Sequence, residues 1–161
     1  MPHVEEFLLG EYLRSLDERY RLSIPGELAD ALTATTPDCI LAKERPGCLS
    51  LWSGPLWQAR LDEGVEVVKQ KMRAGKLGER IAEVQLFGRL LSTRHRLVQL
   101  AGRGRLVIPE GFREFLGVEA GGEVQIVGAA VCVEIWNPAA WLKYLEIRMP
   151  RFRRLFDRLS K

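Results

Sequence analysis

Short apolar runs separated by charged turns give way twice to longer stretches of helical spacing. Leu13 to Leu16 and Leu22 to Ile24 flank the polar Asp17-Glu18-Arg19-Tyr20, which predicts a β-hairpin with its charges at the tip. Pro25 then opens a short helix through Leu32, since a first-turn proline lacks only an N–H that would have no intrahelical partner. Ile40 to Ala42 and Leu49 to Trp52 predict a second strand pair, joined across Lys43-Glu44-Arg45-Pro46-Gly47, and a helix begins near Pro55. Trp57, Leu61, Val65, Val68 and Met72 recur at helical spacing, as do Leu77, Ile81, Val84 and Leu91. Gly75 and Gly78 divide them into two helices. These stripes are expected to pack onto the sheet body, with an oligomer seam as the alternative.

The second half repeats the order. Leu97 to Leu100 and Leu106 to Ile108 flank Ala101-Gly102-Arg103-Gly104-Arg105, and a helix from Pro109 stops at Gly117. Val124 to Val127 and Val131 to Trp136 flank Gly128-Ala129-Ala130. Asn137 caps a helix that Pro138 opens. Beyond Met149-Pro150, Phe152, Leu155, Phe156 and Leu159 follow the i, i+3, i+4, i+7 pattern of a separate amphipathic helix.

The halves are copies. Arg19-Tyr20-Arg21-Leu22-Ser23-Ile24-Pro25 returns 84 residues later as Arg103-Gly104-Arg105-Leu106-Val107-Ile108-Pro109. The same ungapped shift superposes Leu16 on Leu100, Leu32 on Leu116, Cys48 on Cys132, Trp52 on Trp136 and Trp57 on Trp141. Self-similarity at one fixed interval means two copies of a small structural unit in one chain. It also sets a pair of arginines at the same turn of each copy.

Composition narrows the function. The formal net charge is only +3, but Arg148, Arg151, Arg153, Arg154, Arg158 and Lys161 face Asp157 alone in the last stretch. Positive charge therefore concentrates in the tail, and the placement of basic residues carries more information than the total. The apolar stripe of that tail is expected to dock on its own or a neighbouring subunit, with DNA or an anionic membrane as weaker alternatives. No run reaches the length of a membrane span, and the acidic start Met1-Pro2-His3-Val4-Glu5-Glu6 lacks a secretory pattern, so the expectation is a cytoplasmic protein. Cys39, Cys48 and Cys132 form no C-x-x-C pair, and with two histidines a zinc set is not expected; Cys48 and Cys132, at matching repeat positions, read as small core residues. No phosphate-binding glycine loop or nucleophile elbow occurs, so neither an enzyme nor a bound cofactor is expected. The four tryptophans, at strand-to-helix junctions, read as core packing ahead of stacking platforms for single strands.

The turn arginines remain. Two strands joined by a tight turn fit the major groove, where arginine reads guanine bidentately and also clamps phosphate. Arg19, Arg21, Arg103 and Arg105 are the candidates, and Tyr20 would stack on a base, follow the sugar-phosphate edge, or pack on the protein surface.

Asp17 to Pro25 resembles the D-x-K-G-R-L-x-I-P hairpin of the MraZ transcriptional regulators. Gly10-Glu11-Tyr12, Cys48-Leu49-Ser50-Leu51-Trp52, Arg103 to Pro109 and Val133-Glu134-Ile135-Trp136 leading to Trp141 are similar to that family as well, so the likeness spans about residues 7 to 145. Tyr20 replaces the family's turn glycine, and Ala101 replaces its aspartate in the second copy.

The resemblance implies an α+β fold with a mainly β core. Two tandem AbrB-like swapped-hairpin units would form an intramolecular pseudo-dimeric β-barrel flanked by helices. The units would occupy residues 7–62 and 93–146, with connecting helices over 63–92 and the basic tail over 147–161. It further implies a nucleoid-associated regulator that assembles into a ring. The ring would bind direct repeats of double-stranded DNA in the promoter of the division and cell-wall gene cluster. By position, the family's DNA contacts fall on Arg19 and Arg21, with Arg103 and Arg105 as second-copy equivalents. No membrane and no small-molecule substrate are implied. Two alternatives keep the fold: an assembly or partner-binding module that no longer reads DNA, and an antitoxin-like protein, against which the duplication and the helical basic tail both argue.

Overall fold

The computed structural model describes residues 7–161. The acidic start, with the reading placed on it, lies outside the described residues. Eight strands, five α-helices and a 3-10 turn at Gly102–Gly104 make an α+β fold with antiparallel sheets. The first copy holds β1 (Glu11–Ser15), β2 (Arg21–Ser23), α1 (Gly26–Leu32), β3 (Asp38–Arg45), β4 (Cys48–Ser53) and α2 (Gly54–Arg73). After the connecting helix α3 (Ile81–Thr93), the second copy holds β5 (His95–Gln99), β6 (Arg105–Val107), α4 (Phe112–Leu116), β7 (Glu123–Gly128), β8 (Val133–Trp136) and α5 (Pro138–Ser160).

The pairing crosses between the copies. A six-stranded sheet runs β1-β7-β8-β4-β3-β5, and β2 pairs with β6 in a second, two-stranded sheet. Read through the repeat, the order is the same from either end. β4 and β8 meet at its centre, where Ser50 faces its own repeat counterpart Glu134. The first strand of each copy is an edge strand on the other copy: β1 on β7 and β5 on β3.

That exchange corrects the simple hairpin read from Leu13–Leu16 and Leu22–Ile24. The turn is closed by the Asp17 N–H donating to the Arg21 carbonyl (3.1 Å), but beyond it β1 and β2 part and satisfy their backbone groups on opposite partners. The strand pairs β3–β4 and β7–β8 form as the sequence predicts. In the second copy, Gly117 ends α4 in a left-handed conformation, and the Asn137 side chain caps α5 by accepting from the Ala139 and Ala140 N–H groups.

Both copies fill one core. Leu16, Leu22 and Ile24 with their counterparts Leu100, Leu106 and Ile108 lie in a single buried cluster, joined by Leu41, Leu49, Leu51, Ile126, Val133 and Ile135. Each fully buried Leu or Ile side chain is worth about 1.5–3 kcal/mol, and residues of both copies contribute to the same cluster, so burial holds the copies together. Cys39, Cys48 and Cys132 are buried and unpaired by disulfides. Trp52 and Trp136 are buried too, each tilted against the next tryptophan of its copy at ring-centroid distances of 5.7 and 5.1 Å.

The long helices depart from expectation. α2 and α3 bury no residue completely. Of the predicted stripes, Met72 and Ile81 are exposed, Trp57 packs on Trp52 and His95 of the sheet, and Leu61, Val65, Val68, Leu77, Val84 and Leu91 are half-buried. Val67, Leu86 and Leu90, beside the stripes, are exposed. The tail is not a separate helix. α5 runs unbroken through Pro150 to Ser160, and Phe152, Phe156 and Leu159 are 60%, 60% and 77% exposed. Among the described residues, no helix is long and apolar enough to cross a membrane.

Candidate nucleic-acid interface

Asp17 organises the first turn. Its Oδ1 accepts from the backbone N–H groups of Arg19 (2.8 Å) and Arg21 (2.9 Å), and its Oδ2 accepts from Arg21 Nε at 2.6 Å. The backbone donor of Arg21 is the largest influence holding the Asp17 carboxyl below its ordinary value, followed among the lowering causes by the Arg21 side chain and the Arg19 N–H. Arg21 is thus partly spent on the turn, with its side chain and that of Asp17 each 41% exposed. Arg19 projects outward with no ion pair among the described residues.

The second turn is built differently. Ala101 supplies no carboxylate, and the backbone closes the turn through Gly104 N–H to Ala101 O (3.1 Å) and Ala101 N–H to Arg105 O (2.9 Å). Arg103 sits at φ +67° and is exposed, as is Arg105. The four candidate arginines therefore gather as two turns, three of them exposed and Arg21 half-buried.

The two turns flank the β2–β6 ribbon. Ile108 N–H donates to Tyr20 O and Ile24 N–H donates to Gly104 O, both at 2.9 Å. Residues 20 and 24 thus mark the positions of the two turns, and four residues of strand put them about 14 Å apart at roughly 3.4 Å per residue.

Tyr20 and Gly104 are repeat counterparts, and both hold positive φ (+58° and +71°). A Cβ on Gly104 would meet Ala29 Cβ and Ile24 O, each at 2.8 Å, so only glycine fits there. Around Tyr20 the place of Ala29 is taken by Arg113, whose guanidinium lies 4.3 Å from the Tyr20 ring centroid while its Nε donates to Ile108 O at 2.6 Å. The half-buried Tyr20 ring lies against the core and Arg113, the surface packing that was one of its three expected roles. Sequence reading missed Arg113. A usable signal was present, because Tyr20/Gly104 and Arg113/Ala29 are positions where the copies disagree, and the two disagreements meet in space.

Other titratable groups lie away from the turns. Burial raises the thiols of Cys39, to about 11, and Cys132, to about 12, and pushes Cys48 up as well, so none is a ready nucleophile. Burial lowers His95, whose ring lies 5.2 Å from that of Trp57. Glu134 is raised by burial and by Glu44, while its bond from Trp136 Nε1 and the nearby Arg45 oppose the shift. Among the described residues, no set of three His, Cys, Asp or Glu side chains gathers as metal ligands would.

The scaffold is thus a duplicated antiparallel one that presents one arginine-bearing turn from each copy. Comparison with known proteins gives the family. The signature described as "MraZ protein", with the added words "antitoxin-like", matches residues 94–159. The protein named transcriptional regulator MraZ from Symbiobacterium thermophilum is 30% identical, over 86% of this chain and 89% of its own length. Those of the same name from Syntrophomonas wolfei and Thermus thermophilus are 28% and 29% identical, over 94% and 85% of this chain and 95% and 86% of their own lengths. The chain belongs to the MraZ family.

Proposed function

We propose that this chain is a non-enzymatic, DNA-binding transcriptional regulator, as the names of its relatives suggest, and that its two arginine turns are the reading heads. The observation that carries the reading is the paired turns. Duplication brings Arg19 and Arg21 to one end of the β2–β6 ribbon and Arg103 and Arg105 to the other, a span close to the roughly 12 Å width of the major groove. Two AbrB-like swapped-hairpin units, over residues 7–62 and 93–146, account for the crossed strand pairing. Phosphate neutralisation supplies most of the affinity, with a log–log salt slope of about −0.9 per phosphate, and arginine contacts to guanine supply about 1–3 kcal/mol of sequence choice each.

One pair of short turns covers little of a duplex. The exposed apolar faces of α2, α3 and α5 serve as seams for a homo-oligomeric ring in the cytoplasm, at the nucleoid. A ring aligns several turns along one face of the helix and multiplies weak contacts by effective concentration. It therefore selects direct repeats about 10 bp apart, in the promoter of a division and cell-wall gene cluster. The same exposed faces favour the second reading, an assembly module without specific DNA binding.

The test is Arg19→Ala, alone and with Arg21→Ala, against the DNA upstream of the protein's own gene, over a salt series. The regulator reading requires a large loss of specific binding with fold and particle mass unchanged. Arg19→Ala is the cleaner variant, because Arg21 also holds Asp17. Wild-type protein that binds this DNA no better than a random duplex supports the assembly reading instead.

A further inference from the structure

Between the first turn and the β2–β6 ribbon lies a cleft of about 400 Å3, lined by Arg14, Arg21 and Arg105 together with Ser15 and Ser23. The buried Leu22 also lines it. Three elements supply the guanidinium groups: β1, which carries Arg14 opposite Val124; β2; and β6, where Arg105 faces Ser23 across the ladder. Asp17 is the single carboxylate of the lining. Its oxygens are taken by two backbone N–H groups and Arg21 Nε, so it does not cancel the other two cations. Among the described residues neither Arg14 nor Arg105 has a carboxylate within ion-pair distance. The Arg14 guanidinium lies instead 5.7 Å from the Tyr12 ring centroid, which holds it without neutralising it.

We propose that this cleft binds one phosphate group, with Arg14 and Arg105 as its principal charges and Ser23, on the same face of the ribbon as Arg105, as a hydroxyl donor. Guanidinium forks pair with phosphate oxygens bidentately, and a tetrahedral anion takes donors from several sides where a planar carboxylate does not. The cleft occurs once per chain. The repeat counterparts of Arg14, Ser15, Asp17 and Ser23 are Val98, Gln99, Ala101 and Val107, so the second copy lacks the same lining. The phosphate belongs either to a duplex backbone or to a soluble phosphate. The backbone source rests on the regulator reading above, and it makes Arg14 a positioning residue that fixes the turns on the duplex without reading bases.

The experiment uses the full chain with two probes, a random-sequence duplex and inorganic phosphate. Arg14→Gln should weaken the random duplex about fivefold near 0.15 M salt and make the salt slope shallower by about 0.9, as loss of one phosphate contact requires. Arg14→Lys, which keeps the charge, should hold the slope. Inorganic phosphate, titrated against chloride at matched ionic strength, is followed by the amide resonances of Ser15 and Ser23. A slope change without a phosphate-specific shift assigns the site to the backbone. Saturable shifts at one phosphate per chain, lost in Arg14→Gln, assign it to a soluble phosphate. An unchanged slope together with no phosphate-specific shift overturns the proposal. If the wild type binds no duplex the regulator reading fails on its own, and the phosphate titration alone decides the cleft.

Discussion

Gly104→Ala should be the most damaging single-methyl change in the turns. Two costs add. Residue 104 sits at φ +71°, where a Cβ costs about 1–2 kcal/mol. The new methyl would also lie 2.8 Å from Ala29 Cβ and 2.8 Å from Ile24 O, well inside van der Waals contact. Ile24 has little freedom to retreat, because its N–H donates to Gly104 O and its side chain is buried in the shared core. Overpacking of this kind costs about 1–3 kcal/mol, so the sum is about 2–5 kcal/mol. For a chain of this size that lowers Tm by roughly 4–20 °C. Far-UV circular dichroism during thermal and urea unfolding reads it directly. Gly102→Ala is the control: no neighbour lies within 4 Å of its would-be Cβ, and it should change stability by less than about 0.5 kcal/mol. A Gly104→Ala protein as stable as the Gly102→Ala control would show that the two copies do not meet as tightly as the seam requires.

Two further outcomes follow from the same geometry. A double-mutant cycle on Tyr20→Ala and Arg113→Ala, read by urea unfolding, should give a coupling of about 0.5–2 kcal/mol, as expected for a guanidinium held over a half-buried ring; additive losses would separate the pair. Glu134 and Asp17 should pull stability in opposite directions with pH. Glu134 is raised in the fold, so the native state holds its proton more tightly. Its contribution is therefore lost as pH rises from the ordinary carboxylate range through the raised value. Asp17 is depressed, so its contribution is present above the ordinary range and lost as pH falls through the depressed value. Glu134→Gln, which can still accept from Trp136 Nε1, should raise stability at neutral pH and Asp17→Asn should lower it; matching pH–stability curves for either variant and wild type would contradict the assignment.

The local elements were legible because each carries its own punctuation: Asn137-Pro138 at a helix start, Gly117 at a helix end, and short apolar strands around polar turns. The repeat was legible too, and it gave the correspondence of β1–β4 with β5–β8. What no local pattern reveals is which copy a strand pairs with. Leu22 buries itself equally well in a hairpin with β1 or in a ribbon with β6, and its side-chain alternation is the same in both. The helical stripes of α2, α3 and α5 were only partly informative, for a related reason. Periodicity marks a face that needs covering, and it does not say whether the cover is the same chain or another. At the site, the four arginines were legible from the echoed R-x-R. Arg14 was not, because its counterpart is Val98 and the repeat is silent there.

Duplication within one chain frees the halves to differ, and the turns have used that freedom. In the first turn an acceptor on Asp17 fixes the N–H groups of Arg19 and Arg21, and the Tyr20 ring is held by Arg113 from the other copy. In the second turn only backbone bonds close the loop, and a glycine lies flat against Ala29. Ordering an arginine side chain costs up to about 1.5–2 kcal/mol of rotamer freedom, and fixing a residue's backbone costs about 1–2 more. The first turn adds side-chain bonds to its backbone closure and so fixes its arginine backbone more tightly, whereas the second relies on its backbone bonds alone. On the regulator reading proposed above, the first turn therefore suits a fixed register on a duplex, with the Arg14 cleft beside it, and the second suits accommodation of what lies next to that register. A symmetric dimer of single-unit chains has no means of making that distinction, because any substitution that stiffens one turn stiffens both.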